Sequence, residues 1–283
     1  MIVAAVAESV RAAAGDVAGV ELRGLEARMD DVEFLVPQWG TTPDLTAMPA
    51  LRVVQVMSAG TDWIDPLVPE GVTLCNARGS RDIPVAEWVV GAILGAFTGL
   101  LWAARNTRWE YRPPRELSGA RVLIVGHGSI GRATGARLEA LGAHVTGIGR
   151  ARLGEQRSLA AEADVVVNLV PLSDASRGMF DAAVFGAMPD GALFVNAGRG
   201  ATVDQAALLD AVPRIGVVLD VADPEPLPAD HPLWSAEGVL AITGHQAGDS
   251  VAADARCVAL AVDQLRAYAA GRPLKNVVRA PSA

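Results

Sequence analysis

The sequence predicts an α/β protein of two domains, each built on a parallel β-sheet. The chain has 283 residues, close to twice the length of a typical domain. Short runs of branched apolar residues alternate with helix-like segments along its length, a rhythm typical of parallel strands joined by covering helices. A group of four such runs comes first, and a glycine motif near the middle of the chain opens a second group of six.

Composition and charge exclude several classes of protein. The formal net charge is −8, and no cluster of Lys or Arg is longer than a pair, so we expect no nucleic-acid partner. Cys75 and Cys257 stand far apart with no neighbouring His, which favours structural thiols in a reducing compartment over a metal site. The first residues lack the basic region and long apolar run of a signal peptide, which favours a cytoplasmic protein.

The first group of apolar runs predicts a small parallel sheet. Its four strand candidates are residues 2–6, 32–36, 51–57 and 72–75. The Ala-rich, charged segment 8–30 has the composition of a covering helix. Ser58, Ala59 and Gly60 follow the third run, where open α/β sheets bind ligands, and the alternative is a simple turn.

A long apolar segment, 85–105, predicts a helix. It carries no charge between Glu87 and Arg105, and Gly91, Gly95 and Gly99 recur every fourth residue, as on the contact face of a membrane helix. The run is at the short end of what spans a bilayer. A helix that is buried between domains is also apolar on all its faces, because every face is shielded from water. We therefore expect no membrane association.

The glycine motif, RVLIVGHGSIG at 121–131, predicts a dinucleotide-binding turn. A buried strand ends at Gly126, and a helical segment begins after Gly128. The first glycine makes the turn, the second lets a pyrophosphate approach the backbone, and Gly131 lets helix and strand pack closely. With a further strand candidate at 144–148, this is the signature of a Rossmann domain.

The second group of strands predicts a doubly wound sheet with one functional edge. Its strand candidates are 122–125, 144–148, 164–170, 192–196, 215–221 and 239–243. Polar and glycine residues follow these strands, and because the carboxyl ends of parallel strands share one edge, we expect them to converge on one crevice. A last helix, about 250–270, returns the chain to the first domain.

Eight segments together resemble one known family. In chain order they are SAGTDWID (58–65), VAE (85–87), the glycine motif, ADVVVNLVPLS (163–173), FVNAGRGATVD (194–204), LDVADPEPLP (219–228), HPLW (231–234) and ITGHQAG (242–248). The chain resembles the D-isomer-specific 2-hydroxyacid dehydrogenases, in particular glyoxylate/hydroxypyruvate reductases. The resemblance implies a Rossmann domain at 89–259, a smaller flavodoxin-like substrate domain at 1–88 and 260–283, and a homodimer.

The resemblance also implies hydride transfer between a nicotinamide dinucleotide and a small 2-keto acid, giving the D-2-hydroxy acid. It assigns Arg199, Glu225 and His245 as catalytic residues. Reduction leaves negative charge on the carbonyl oxygen, and an imidazolium at His245 can supply the proton. Glu225 would orient that ring and raise its pKa, and Arg199 offers a planar fork to the substrate carboxylate.

Motif and resemblance together assign the binding residues. The cofactor set is Gly126, Gly128, Ser129, Ile130, Gly131, Arg150, Arg152, Val170, Pro171, Ala197, Gly198, Asp220 and Gly248. Within it, the resemblance implies that Asp220 meets the nicotinamide carboxamide. The substrate set is Ser58, Ala59 and Gly60, and the resemblance implies that backbone amides around Ala59 and Gly60 hold the carboxylate. We interpret His127, His144 and His231 as structural or solvent-facing, and no metal cluster is present in the sequence.

Two departures from the family pattern bear on function. Gly149 stands where the family carries the acid that binds the adenosine ribose, and Arg150 and Arg152 follow it, which favours NADP while admitting NAD. The alternative is two loop arginines in solvent. Gly244 replaces the proline usual before the catalytic His, and we expect it to loosen that loop.

Other functions stay open at this stage. The family includes corepressors that bind the dinucleotide and act through partners without turnover. A formate-type enzyme would pair its His with Gln, which Glu225 opposes, and a phosphite-type enzyme would carry Lys where Ala59 stands.

Overall fold

The computed structural model describes residues 1–212 and 214–281 and confirms the two-sheet α/β fold class. The chain divides into two compact units, Met1–Arg81 with the segment from Asp249 onward, and Asp82–Gly248. These limits lie earlier in the chain than the sequence-predicted boundaries at 88/89 and 259/260. They leave the two long helices, Asp82–Phe97 and Val251–Ala269, whole, since a continuously hydrogen-bonded helix moves as one piece.

The first unit is a six-stranded sheet. Its strands are β1 (Ile2–Val6), β2 (Val20–Arg23), β3 (Phe34–Val36), β4 (Val53–Gln55), β5 (Thr73–Cys75) and β12 (Val277–Arg279), and its helices are α1 (Glu8–Ala14) and α8 (Val251–Ala269). The order is β2-β1-β3-β4-β5-β12. The first five strands are parallel in the flavodoxin-like order, and β12 pairs antiparallel with β5.

The prediction of one covering helix over 8–30 is wrong. The helix ends at Ala14, because Gly15 and Gly19 take positive φ, and the chain then forms β2. Val20 and Leu22 pack on the apolar cluster beneath β1, while the strand remains half-exposed. Because β2 is an edge strand that pairs with β1 alone, two apolar side chains are enough to hold it on the sheet.

The second unit is a parallel six-stranded sheet. Its strands are β6 (Arg121–Val125), β7 (His144–Ile148), β8 (Val165–Asn168), β9 (Leu193–Asn196), β10 (Gly216–Leu219) and β11 (Val239–Ile242). Its helices are α2 (Asp82–Phe97), α3 (Leu100–Ala103), α4 (Ser129–Ala140), α5 (Gln156–Ala160), α6 (Ala182–Ala187) and α7 (Gln205–Ala211). The order β7-β6-β8-β9-β10-β11 reverses direction between β6 and β8, where a doubly wound sheet opens its binding crevice.

Alternation along β6 sends its side chains to both faces of the sheet. Val122 and Ile124 pack in the cluster under α2 and α4, whereas Leu123 and Val125 pack in the cluster under α6 and α7. Both faces are therefore buried, which is why β6 is a continuous apolar run.

The predicted helix over 85–105 is two helices. Gly99 adopts φ +77°, a left-handed conformation that ends α2 and starts α3. At Gly95, a Cβ would lie 2.9 Å from the side chain of Leu101, so the glycine lets α3 fold back closely. Within the described ranges, the longest apolar helices all fall short of what a membrane crossing requires.

Candidate active site

The turn between β6 and α4 forms a cradle of three glycines. Gly126 has φ +101°, and a Cβ there would lie 2.6 Å from the carbonyl of Leu169. A Cβ at Gly131 would lie 2.5 Å from the Gly126 oxygen, so helix and strand approach closely. Around Gly128 a Cβ would meet nothing within 4 Å, which leaves this part of the turn open to a ligand. The three positions thus have the three geometries that dinucleotide binding requires.

Hydrogen bonds define which amides this turn can offer. The amides of Gly126 and His127 both donate to the oxygen of Ile148. The Gly128 amide donates to the Gly126 oxygen at 2.9 Å. The amides that follow, those of Ser129 and Ile130, begin α4, where a helix supplies no acceptor of its own. Such a helix start is a ready site for a pyrophosphate. The Ser129 hydroxyl is engaged elsewhere, because it donates to Asp82 at 2.9 Å.

The end of β7 gives the two predicted phosphate-binding arginines different surroundings. Arg152 forms a two-point ion pair with Glu155, at 2.8 and 2.6 Å. Arg150 is exposed and makes no side-chain hydrogen bond or ion pair within 1–212 and 214–281. Arg150 is therefore available to an anion, whereas Arg152 would first have to leave Glu155.

The loops after β8 and β9 pack directly on each other. A Cβ at Gly198 would lie 2.8 Å from the carbonyl oxygen of Val170, so only glycine permits this approach. The segments Val170–Pro171 and Ala197–Gly198, both assigned to the cofactor by sequence, thereby form one continuous edge beside the glycine cradle.

His245 and Glu225 form a hydrogen-bonded pair in the second unit. Nδ1 of His245 lies 2.9 Å from Oε2 of Glu225, and the other carboxylate oxygen accepts from the Ala222 amide at 3.0 Å. The bond to Glu225 raises the pKa of His245 above its usual value, and partial burial works against that rise. Burial opposes ionisation of Glu225, but its bonds to His245 and Ala222 outweigh burial and lower its pKa. The pair is therefore an ionised carboxylate beside a ring that readily holds a proton.

Asp220 holds the His245 loop in place. Its buried carboxylate accepts three hydrogen bonds from this loop: Thr243 Oγ1 at 2.6 Å, Gln246 N at 2.9 Å and Ala247 N at 2.9 Å. The amide of His245 donates to the Asp220 carbonyl oxygen at 2.7 Å, and His245 itself has φ +54°, which is uncommon for a residue other than glycine. The loosening expected from Gly244 stays a prediction, and these hydrogen bonds restrain the residues on both sides of it. The Asp220 carboxylate, which the resemblance assigns to the nicotinamide carboxamide, thus already accepts hydrogen bonds from this loop.

Arg199 follows β9 in extended backbone conformation, with φ −140° and ψ 143°. Its Nη1 donates to the Gly198 oxygen at 2.8 Å. Its positive charge partly opposes the rise in the pKa of His245 and adds to the lowering of the pKa of Glu225. The next residue, Gly200, presses against the neighbouring loop, since a Cβ there would lie 1.7 Å from the Ala222 oxygen. The structure thus brings Arg199, Glu225 and His245 to the same edge of one sheet.

The predicted substrate turn lies in the first unit, after β4. The Ser58 hydroxyl donates to the Gly60 oxygen at 2.7 Å and accepts from Trp63 Nε1 at 3.2 Å. Asn76 Nδ2 donates to the Ala59 oxygen at 2.7 Å, so the turn has a fixed shape. Ser58, Ala59 and Gly60 belong to a different unit from the catalytic candidates.

Sequence reasoning missed residues that shape the site without carrying the chemistry. Gly200 and Thr243 are the clearest, because each fixes the loop of a catalytic candidate. The available signal was position: a glycine or hydroxyl residue adjoining a candidate at the end of a strand.

The described residues hold no cluster of metal-ligating side chains, and both cysteines are buried. Throughout the parts of the chain that the structure describes, no three His, Cys, Asp or Glu side chains cluster as a metal site would require. Cys75 and Cys257 are buried free thiols, and burial raises the pKa of Cys75 to about 11, which keeps it protonated.

Known proteins resemble this chain in both sequence and fold. A family model described as "D-isomer specific 2-hydroxyacid dehydrogenase, NAD binding domain" matches residues 94–247. A glycerate dehydrogenase of Methylorubrum extorquens is 29% identical over 258 residues, covering 83% of this chain and 81% of that protein.

Two solved structures cover 98% of this chain and 98% of their own at 26% identity. One is an NADPH-dependent glyoxylate/hydroxypyruvate reductase of Sinorhizobium meliloti in complex with NADP and sulfate, with a TM-score of 0.86. The other is a D-isomer specific 2-hydroxyacid dehydrogenase of Xanthobacter autotrophicus in complex with NADPH and MES, with a TM-score of 0.83. Since the family model spans more than half of the sequence and the fold matches from end to end, this chain belongs to the D-isomer specific 2-hydroxyacid dehydrogenase family.

Proposed function

We propose that this protein reduces a small 2-keto acid to the D-2-hydroxy acid, with NADPH as the preferred reductant and His245 as the proton donor. Family membership supports the coarser statement, an NAD(P)-dependent oxidoreductase. The proposal that His245 donates the proton to a 2-keto acid rests on one observation, the 2.9 Å pair of His245 with Glu225 at the same sheet edge as Arg199.

The residues of the glycine cradle fit a dinucleotide. The open space at Gly128 admits a pyrophosphate, and the amides of Ser129 and Ile130 at the start of α4 can donate to it. A bound nicotinamide dinucleotide supplies the hydride for C2 of the keto acid. Val170, Pro171, Ala197 and Gly198 form the edge along which the rest of the cofactor would lie.

His245 completes the reduction with a proton. As C2 gains the hydride, its oxygen becomes an alkoxide and takes a proton from the imidazolium, so keto acid, hydride and proton give the hydroxy acid. Because Nδ1 is bound to Glu225, proton transfer falls to Nε2. Glu225 fixes the tautomer and offsets the positive charge of the ring.

Arg199 recognises the substrate. Its guanidinium can donate to the substrate carboxylate and the reacting carbonyl, which attracts the developing negative charge. The turn at Ser58–Gly60 is proposed as a second carboxylate-binding segment, through backbone amides.

NADP preference rests on the end of β7. Gly149 removes the acid that would repel a 2′-phosphate, and Arg150 is available to bind one. The NADP and NADPH bound in the Sinorhizobium and Xanthobacter structures support this preference. NAD remains an admissible cofactor. We extend the proposal to a cytoplasmic homodimer, for which light scattering of the purified protein is the test of subunit number.

The substrate is proposed to be glyoxylate, hydroxypyruvate or a similar small keto acid. The names of the Sinorhizobium reductase and the Methylorubrum dehydrogenase support this class. No observation favours the corepressor-like alternative.

The deciding experiment follows NADPH and NADH absorbance against a panel of 2-keto acids. The His245→Ala variant should lose activity, and His144→Ala, an exposed histidine on β7, is the matched control that should keep it. Tight dinucleotide binding without turnover of any keto acid would overturn the proposal.

A further inference from the structure

Three buried polar side chains, two at the carboxyl ends of β8 and β9 and one in the turn after β9, have no part in the chemistry described above. They are Asn168, Asn196 and Thr202, and none exposes more than 1% of its surface. Nδ2 of Asn168 donates to Oδ1 of Asn196 at 2.9 Å and to Oγ1 of Thr202 at 2.7 Å. Its Oδ1 accepts from the Val170 amide at 3.0 Å. Asn168 is thus the centre of a buried hydrogen-bond network.

This network ends on the backbone of Arg199. The Thr202 hydroxyl donates to the Arg199 carbonyl oxygen at 2.6 Å, and Nδ2 of Asn196 approaches the same oxygen at 3.4 Å. Because the hydroxyl accepts from Asn168, its single proton is directed to Arg199. Oδ1 of Asn196 also accepts from the Gly198 amide at 3.1 Å, so the residue before Arg199 is held as well.

The residues on both sides of Arg199 make close contacts with neighbouring loops. Gly198 abuts the backbone of Val170, and Gly200 abuts the backbone of Ala222, so the residues on both sides of Arg199 are wedged between neighbouring loops. Hydrogen bonds to the carbonyl of Arg199 then set the direction in which the chain leaves β9.

We propose that Asn168, Asn196 and Thr202 are positioning residues for Arg199, holding its backbone so that the guanidinium meets the substrate carboxylate. The inference rests on the proposed function in naming that carboxylate as the ligand. The sheet has its own backbone ladder at β8 and β9, so three buried polar groups are not needed to pair these strands. Burying polar groups is costly unless each is satisfied, and a satisfied network restricts the backbone to one arrangement.

Thr202→Val tests the proposal, because it keeps the shape of the side chain and removes the hydroxyl. We expect KM for glyoxylate to rise about tenfold, as when a binding group is misplaced by a fraction of an ångström, with a smaller change in kcat and unchanged NADPH affinity. Thr202→Ser restores the hydroxyl and should restore KM.

Thr134→Val is the matched control. Thr134 is equally buried, and its hydroxyl donates to the Ile130 oxygen at 2.9 Å within α4. Loss of the Thr134 hydroxyl should leave KM for glyoxylate unchanged. An equal rise of KM in both valine variants, or none in Thr202→Val, would overturn the inference.

A second readout does not depend on turnover. Amide hydrogen exchange over residues 197–203 should quicken in Thr202→Val and stay as in the wild type in Thr134→Val. If the wild type reduces no keto acid, the proposed function fails while the exchange result still decides whether the network holds Arg199. Asn168→Asp, which replaces the donor with an acceptor facing Asn196 Oδ1, should show the same exchange effect if Thr202→Val does not fold.

Discussion

Nδ1 of His245 lies 2.9 Å from Oε2 of Glu225 although the two residues belong to different loops of the second unit. The bond joins a carboxylate of lowered pKa to an imidazole of raised pKa. Each partner therefore favours the charged form of the other, and the consequences can be measured in activity and in stability.

The first prediction concerns the pH dependence of reduction. His245 donates a proton, so kcat/KM for keto acid reduction should be high below its pKa and fall as pH rises through it. The bond to Glu225 places that midpoint above the ordinary value of about 6.5. In Glu225→Gln the midpoint should move to lower pH, and a pH profile unchanged by this substitution would contradict the assignment.

The second prediction concerns stability. The raised pKa of His245 contributes stability that is fully present below its unfolded pKa and is lost as pH rises through the folded value. The lowered pKa of Glu225 contributes stability above its unfolded pKa that is lost as pH falls through the folded value. The Tm difference between wild type and Glu225→Gln should therefore be largest between these limits and shrink on both sides.

The magnitude of that difference should be small. The side chains of His245 and Glu225 are 34% and 38% exposed, and solvent screens such a pair to about 1 kcal/mol or less. That corresponds to a Tm change of no more than about 2–4 °C. Calorimetry across the pH range checks both sign and size, and a pH-independent difference would contradict the ionic origin.

The third prediction concerns the contact between the Arg199 and Glu225 loops. A Cβ at Gly200 would lie 1.7 Å from the Ala222 oxygen, so Gly200→Ala must push the two loops apart. We expect kcat/KM to fall about 100-fold, because catalytic groups misplaced by about 1 Å lose activity on that scale. Gly186→Ala is the control, since a Cβ there meets nothing within 4 Å and should leave activity intact.

The fourth prediction concerns cofactor choice. Glu155→Gln removes the charge that pairs with Arg152, so NADP affinity should rise several-fold while NAD affinity stays unchanged. Arg150→Ala should lower NADP affinity. Titration of both cofactors measures this, with Glu162→Gln as a control for the loss of an exposed negative charge. Equal effects on both cofactors would contradict a 2′-phosphate site at this turn.

The fifth prediction concerns the hydrogen bonds that the Asp220 carboxylate accepts from the His245 loop. In Asp220→Asn an amide nitrogen replaces one oxygen acceptor, so at least one of the three loop hydrogen bonds is lost, at a cost of about 1–3 kcal/mol. kcat should fall as His245 loses its fixed orientation. Thr243→Val removes one donor only and should lower kcat less than Asp220→Asn does. A larger loss of kcat in Thr243→Val would contradict this role of Asp220.

The sequence by itself determined the features that arise from neighbouring residues. Apolar runs located ten of the twelve strands that the described residues form, because side-chain burial repeats locally along the chain. The spacing of Gly126, Gly128 and Gly131 specified a turn because the positive φ at Gly126 and the approach of Gly131 to the Gly126 oxygen are set within a few residues. Motif order also led to the family, which the comparisons support.

The tertiary structure decided what depends on distant partners. β2 exists because β1 offers it an edge with which to pair. The carboxylate of Asp220 is occupied by donors more than twenty residues away along the chain. Hydrogen-bond partners are chosen by distance in space, and local sequence patterns do not carry that information.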